Sequence, residues 1–367
     1  MTSRAESAYP QQSDAEFFAA PHQIRAFLVG LIRWENSVLF PSFPGRSRAD
    51  TRLARHLSKR GVPNENLCFL KDEDATIEAI RVEFKRLLED SSPGETLLFY
   101  YAGHGALAPD NQPFFSSYDT RADSRESAWF MGEALEAIES NFKGDTVVFV
   151  TDCCHSGAMG ELLQQSARGF AYASLASTAA EDDSSGNWTF TESLLLALTG
   201  ARVVPGNPGG DITFAELADF ARADMALFEG QRAKFLFAPS FNVPATLSRA
   251  HENQSPGMGD RIEVQWGADW FKARVISQKG TLSKVHYIGF PQNQDEWVEP
   301  HRIRPIEASL FPENLSVEAE WNGEWWKAKV LDTRGPLHYV RYTERSSVWD
   351  EWLVGTRLRL PPGKQRS

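Results

Sequence analysis

Along the first two thirds of the chain, apolar residues alternate between two periods. Short unbroken runs have the composition of strands buried on both faces of a parallel sheet: Ile24 to Ile32, Asn66 to Leu70, Glu95 to Tyr101, Val147 to Thr151 and Tyr172 to Ser177. Between them lie segments at helical spacing. Ala49 to Arg60 runs through Leu53 and Leu57 and is stopped by Gly61 and Pro63, and Asp74 to Leu88 runs through Ile77, Ile80, Phe84 and Leu87. Met131 to Phe142, Thr191 to Leu198 and Phe214 to Met225 complete the helical set. Strands alternating with helices predict βαβ units and an α/β fold with a mainly parallel sheet. The polar stretches 109–127 and 179–187 are long enough to act as functional or processed loops.

The pattern changes at 251–258, which reads as a linker. Eight of the 11 tryptophans lie beyond it. The segment then repeats itself at a constant offset of 55 positions: Trp266 with Trp321, Trp270 with Trp325, Val275 with Val330, Tyr287 with Tyr342, Asp295-Glu296-Trp297 with Asp350-Glu351-Trp352, Arg302 with Arg357. Short alternating strands in two copies predict two small SH3-like β-barrels, over 259–308 and 314–362. With 1–22 as a flexible tail, residues 23–250 remain for the α/β domain.

Charge and cysteine content narrow the partners. The net charge of −11 over 367 residues sits almost wholly before position 259, so no basic face for nucleic acid is expected. An acidic α/β domain could instead attract a basic substrate. Three cysteines give no disulfide framework and fit a reducing, cytoplasmic setting. No apolar run approaches the roughly 20 residues that span a bilayer, and the first residues lack a signal-peptide core. No membrane partner is expected.

Two strand ends carry the candidate chemistry. One strand runs into Ala102-Gly103-His104-Gly105, the other into Asp152-Cys153-Cys154-His155-Ser156-Gly157. In open α/β sheets chemistry sits beyond the carboxyl ends of the strands. A thiol and an imidazole there can form a dyad in which the thiolate attacks a carbonyl and the ring moves the proton. Asp152, two positions before Cys154, points to the same side of its strand and could receive a cationic side chain. Cys153 reads as packing, and His155 and Ser156 as parts of the turn. A zinc site of Cys153, Cys154, His155 and His104 is set aside, because three consecutive ligands fit tetrahedral geometry badly. No metal or cofactor is expected.

YYAGHG followed by TDCCHSG resembles the caspase-like cysteine peptidases, closer to metacaspases, paracaspases and their bacterial relatives than to animal caspases; the similarity covers about residues 23–235. The resemblance implies a caspase-hemoglobinase sandwich, with Cys154 as nucleophile, His104 as proton-transfer partner, and backbone amides of Gly105 and Cys154 as oxyanion hole. It implies an acidic S1 pocket from Asp152 and a second acid, for which Asp50 is the best match and Asp119 a third candidate. Ala102 stands where the family often has Ser. Cleavage of protein substrates after Arg or Lys is the expectation. Latency is expected too, relieved by processing in 109–127 or 179–187, by an activating protein or by calcium at Asp182 and Asp183 or Asp119 and Asp123. Stress, death or defence pathways are what the family implies. The repeats resemble Tudor, Agenet and chromo-barrel domains, whose aromatic cages hold methylated side chains; Trp270, Tyr287 and Trp297, with Trp325, Tyr342 and Trp352, are the candidate cage residues, and a peptide or protein is the expected ligand. The alternative is a non-catalytic adaptor in which the α/β domain is a scaffold.

Overall fold

The computed structural model describes residues 18–43, 48–166, 168–180, 186–201, 210–250, 259–306, 311–321, 323–334 and 336–362. β1 (Ile24–Gly30), β2 (Leu67–Lys71) and β3 (Thr96–Ala102) are followed by a small three-stranded sheet of β4 (Gly105–Leu107), β5 (Pro113–Ser116) and β6 (Ala128–Phe130). β7 (Thr146–Asp152), β8 (Ala171–Ala176), β9 (Asp211–Thr213), β10 (Lys234–Phe237) and β11 (Thr246–Arg249) complete the domain's strands. The main sheet has the order β10-β8-β7-β3-β1-β2, parallel except for the edge strand β10. The apolar runs therefore form the strands expected of them, and β1 and β3 are buried along their whole length.

Among the described residues, six α-helices cover the two faces. Leu53 and Leu57 of α1 (Ala49–Lys59) share a core with α5 (Thr189–Leu198) and α6 (Phe214–Asp224). On the opposite face, α2 (Ile77–Glu89), α3 (Met131–Asn141) and α4 (Ala158–Gln164) pack through Ile80, Phe84, Ile138 and Met159. This is a three-layer α/β/α sandwich. The expected flexible tail is corrected at its end: the Phe18 ring meets Phe214 edge-on at 5.3 Å, because an apolar side chain beside the open end of a core buries itself. The loop 109–127 contains β5.

Each repeat folds as a five-stranded antiparallel sheet, four strands in a meander and the fifth returning to pair with the first. The first spans Arg261–Trp266, Asp269–Lys279, Leu282–Tyr287, Glu296–Val298 and Ile303–Pro305; the second spans Ser316–Trp321, Glu324–Arg334, Leu337–Tyr342, Glu351–Val354 and Leu358–Arg359. Both long strands bulge at the same repeat position, after Val275 and after Val330, which curls the sheet over its core. Phe311 belongs to the second core, so that unit begins before the expected 314.

Both meanders dock on the α/β domain around the C-terminal end of α6. Arg261 and Arg274 of the first reach the buried Asp224 at 2.7 and 2.5 Å. Lys272 donates to the Leu227 carbonyl at 2.7 Å. The second contributes Leu337 and Trp352 to a cluster with Leu227 and Phe228. Arg232 of the α/β domain lies over the rings of Trp321 and Trp349 at 5.2 and 5.4 Å.

Candidate active site

The site is set by one rung of the sheet. Gly30, Ala102 and Asp152 are register partners across β1, β3 and β7. His104 and Cys154 each stand two residues beyond that rung, on adjacent parallel strands. Gly103 donates its N–H to the Asp152 carbonyl at 3.3 Å, which ties the two loops together. Gly105 approaches so closely that a Cβ there would lie 2.1 Å from the Cys154 carbonyl oxygen; only glycine fits. Ser116 donates to the His104 carbonyl at 3.0 Å, so Gly105 and Phe115 form a non-hydrogen-bonded pair of the β4–β5 ladder. The Gly105 N–H is thereby directed away from β5.

His104 is held by groups that no motif announces. Its Nε2 lies 2.9 Å from the Pro41 carbonyl. A carbonyl only accepts, so Nε2 carries the proton and Nδ1 is the basic nitrogen. Trp34 and Phe43 pack on the ring with centroids 4.5 and 4.4 Å away. Burial among them lowers the His104 pKa below its ordinary value.

The two cysteines differ. Cys153 is fully buried in the α2–α3–α4 core, and burial holds its thiol well above the ordinary range. Cys154 is half-buried. The turn after it is clamped: Thr178 donates to the Cys153 carbonyl at 3.1 Å, and His155, in the left-handed region at φ 56°, places Nδ1 2.8 Å from the Ala180 carbonyl. His155 and Ser156 are turn-forming, as expected.

Asp152 is 7% exposed. Thr191 donates to it from its hydroxyl at 2.6 Å and from its backbone at 3.3 Å, and Tyr100 meets the same hydroxyl at 2.9 Å. No cation partners this carboxylate among the described residues, and burial raises its pKa to about 6. It lines a narrow pocket of about 20 Å³ with Leu31, Phe43, Ala102, Gly103, Gly186, Asn187 and Trp188.

The other candidate acids have different positions. Asp50 is fully buried at the start of α1 against Gly30, two strands from Asp152 on the same rung and the same face. Arg48 already neutralises it at 2.6 Å, while also donating to the Gly30 carbonyl and pairing with Asp72. Asp119 is a correction: it accepts the Ile77 N–H and the Ser117 hydroxyl, each at 2.8 Å, and so caps α2 instead of facing the pocket. Among the described residues no group of three or more His, Cys, Asp or Glu gathers as a metal site, and Asp182 and Asp183 lie outside them.

The expected aromatic cages are also corrected. Trp270 and Trp325 lie under Arg304 and Arg359 at 4.1 and 4.0 Å, Tyr342 is buried on Glu351 and Trp352 is covered by Tyr339, whereas Trp297 is exposed and Tyr287, bonded to Glu296, keeps a ring contact with Trp266. The faces that gather aromatics are Trp266, Phe271, Tyr287 and Phe290 in the first meander and Trp321, Trp326 and Trp349 in the second. Side chains alternate along a strand, so Trp266 and Phe271 share a face while Trp270 points away.

Residues 58–163 match the family model of the metacaspase peptidase C14 domain, and residues 313–363 match that of the Agenet domain. The first match contains His104, Asp152 and Cys154. Metacaspase-2 of Trypanosoma brucei brucei is 26% identical over 152 residues, 38% of this chain and 43% of the relative. Inactive metacaspase-4 of the same organism is 32% identical over 119 residues, 29% of this chain and 34% of the relative. The matches thus span less than half the length of these relatives. Among solved structures, caspase-1 from Spodoptera frugiperda aligns at a TM-score of 0.37 and 12% identity, covering 69% of this chain and 99% of that one. The Arabidopsis thaliana AGDP1 Agenet structure aligns at 0.14 and 21%, covering 29% and 82%. By the two family models the chain carries a metacaspase-type peptidase C14 domain and a C-terminal Agenet domain.

Proposed function

We propose that this chain is a cysteine endopeptidase that cleaves proteins after Arg or Lys. One observation carries the reading: the Gly30–Ala102–Asp152 rung puts a half-buried thiol, an oriented imidazole and a buried carboxylate without a cation at one sheet end. In the first step the Cys154 thiolate attacks the carbonyl carbon of the scissile bond. The oxyanion that forms is held by the N–H groups of Gly105 and Cys154, an arrangement that typically removes a few kcal/mol from the barrier. Nδ1 of protonated His104 gives its proton to the leaving amine as the C–N bond breaks. Water then adds to the thioester, His104 takes its proton, and the thiolate departs as the acid is released.

Specificity follows from charge. Asp152 supplies a desolvated anion beside the nucleophile, and a substrate guanidinium or ammonium satisfies it. The pocket has room for about one water molecule, which supports a latent state. Phe43 and Gly186 meet across it, so admitting a basic side chain requires residues 40–43 and 186–188 to part. Activation would act on that contact, through a partner protein, an ion or a clip. The well-bonded 109–127 segment, with its Asp119 cap, suits a clip poorly.

A family match alone does not decide activity, since one relative is named inactive; the presence of His104 and Cys154 supports the active reading. The full chain should hydrolyse fluorogenic peptides ending in Arg or Lys, and Cys154→Ala should reduce this to background. An Ala variant that still cleaves, or a preference for Asp-ended peptides, overturns the reading. Protein or peptide partners for the meanders belong to the same proposal.

A further inference from the structure

A cleft of about 300 Å³ opens between the peptidase domain and the first meander, the size at which ligand pockets begin. One wall is α1 and α5, the other the strands bearing Arg274, Ile276 and His286 with Ile288 in the turn that follows. Its carboxylates are already engaged. Glu192 is bound by Arg52 at 2.5 Å and by His286 at 3.4 Å, and Asp295 by His286 at 2.7 Å. Burial opposes the His286 charge, yet these two carboxylates raise its pKa to about 9. Asp224, behind Arg274, is held by Arg261, Arg274 and Ser193.

What the cleft leaves unmet is donors. Arg52 Nε and Arg274 Nη1 are buried without a hydrogen-bond partner among the described residues. Arg274 is 3% exposed. Native structures seldom leave such groups unpaired, and a guanidinium N–H can only donate. Beside these donors the walls are apolar, with Leu196, Ile276 and Ile288. Unmet donors and hydrocarbon lining one cleft point to an amphiphilic anion.

We propose that this cleft binds a small organic acid, its carboxylate received by Arg52 and Arg274 and its short apolar chain lying against Leu196, Ile276 and Ile288. The ligand is an effector of the catalytic site. α5 carries Glu192 and Ser193 toward the cleft, and on its other side Thr191 holds Asp152. Filling the cleft clamps α5 between the meander and the sheet and so fixes the carboxylate beside Cys154; this coupling clause rests on the peptidase reading, whereas the binding does not.

Calorimetry on the full chain tests it, with hexanoate and inorganic phosphate as probes. Saturable binding of hexanoate at millimolar concentration with one site is expected, with phosphate at least about tenfold weaker. Leu196→Trp, which fills the cleft without touching its charges, and Arg52→Leu, which removes a donor, should each weaken hexanoate by about tenfold or more, a change of about 1.4 kcal/mol; thermal melts confirm that the variants fold. Absence of saturable heat, or unchanged affinity in the folded Leu196→Trp variant, overturns the proposal as an adventitious additive only. Equal affinity for phosphate overturns the assignment to an amphiphilic acid. Hexanoate should also lower KM for Arg-ended peptides in the wild type and not in Leu196→Trp. Binding without that effect refutes the coupling alone, and an inactive chain that still binds hexanoate refutes the peptidase reading alone.

Discussion

Two buried aspartates on either side of α5 show how one kind of group takes two jobs. Asp152 and Asp224 are 7% and 0% exposed, and each accepts a hydroxyl from α5, Thr191 for the first and Ser193 for the second. Asp224 has two arginines from the first meander, and although burial opposes ionisation, Arg274 and Arg261 hold its pKa below the ordinary value. Asp152 has no cation among the described residues, and burial raises its pKa to about 6. A buried charge that has its partner joins two modules. A buried charge without one is a cost the fold carries, and its relief by an incoming cation supplies binding energy.

The largest expected effect comes from removing the filled partner. Asp224→Ala leaves Arg261 and Arg274 uncompensated and should cost about 3–5 kcal/mol in denaturant unfolding. A loss under about 1 kcal/mol would show that the meander does not dock through this charge. Next, Asp152→Asn should cut kcat/KM for Arg-ended peptides by roughly 10²-fold, about 3 kcal/mol, with little change for uncharged peptides. Equal losses for both would make Asp152 merely structural.

The two aspartates should also answer pH in opposite directions. The raised pKa of Asp152 means its neutral form is favoured on folding. That contribution is complete below about pH 4 and is lost as pH rises through about 6. Asp152→Asn should therefore stabilise the protein at pH 8, by up to about 3 kcal/mol, and the gain should fade below pH 4. Asp224, with its depressed pKa, stabilises the fold above the ordinary carboxylate range and loses that contribution as pH falls below it. Urea midpoints of Asp152→Asn and Asp224→Asn, each against wild type, read the first slope between about pH 4 and 7 and the second below about pH 4; the same sign for both ends the comparison. The smallest effect is at the second meander, where Trp349→Ala removes the Arg232 contact and should cost about 1–2 kcal/mol, without altering Arg-peptide specificity.

The placing of His104 and Cys154 at one sheet end was legible because it follows from local chain. His104 and Cys154 each end a buried strand, and parallel register brings equal distances past a rung together. Asp152 followed from strand alternation. Pro41 was not legible, because it acts through a backbone carbonyl that every residue possesses. Thr191 and Arg48 were missed for a related reason: their roles depend on where α5 and α1 come to rest against β7 and β1. Asp119 shows the converse error, since an acid in a polar loop near a site looks the same whether it meets substrate or caps a helix. Asp224 did leave a signal, an aspartate amid the apolar run around Met225 to Phe228. In the repeats, homologous positions were readable, but which aromatics share a face required the register of the strands.

The most direct test of the account is covalent. Wild-type protein is treated with an arginyl chloromethyl ketone and with its aspartyl counterpart, and the labelled residue is located by peptide mapping. The account predicts one equivalent of arginyl label on Cys154, absent in Cys154→Ala, strongly slowed in Asp152→Asn, and no comparable label from the aspartyl reagent. Label on Cys153 or Cys68, or equal reaction with both reagents, would contradict it.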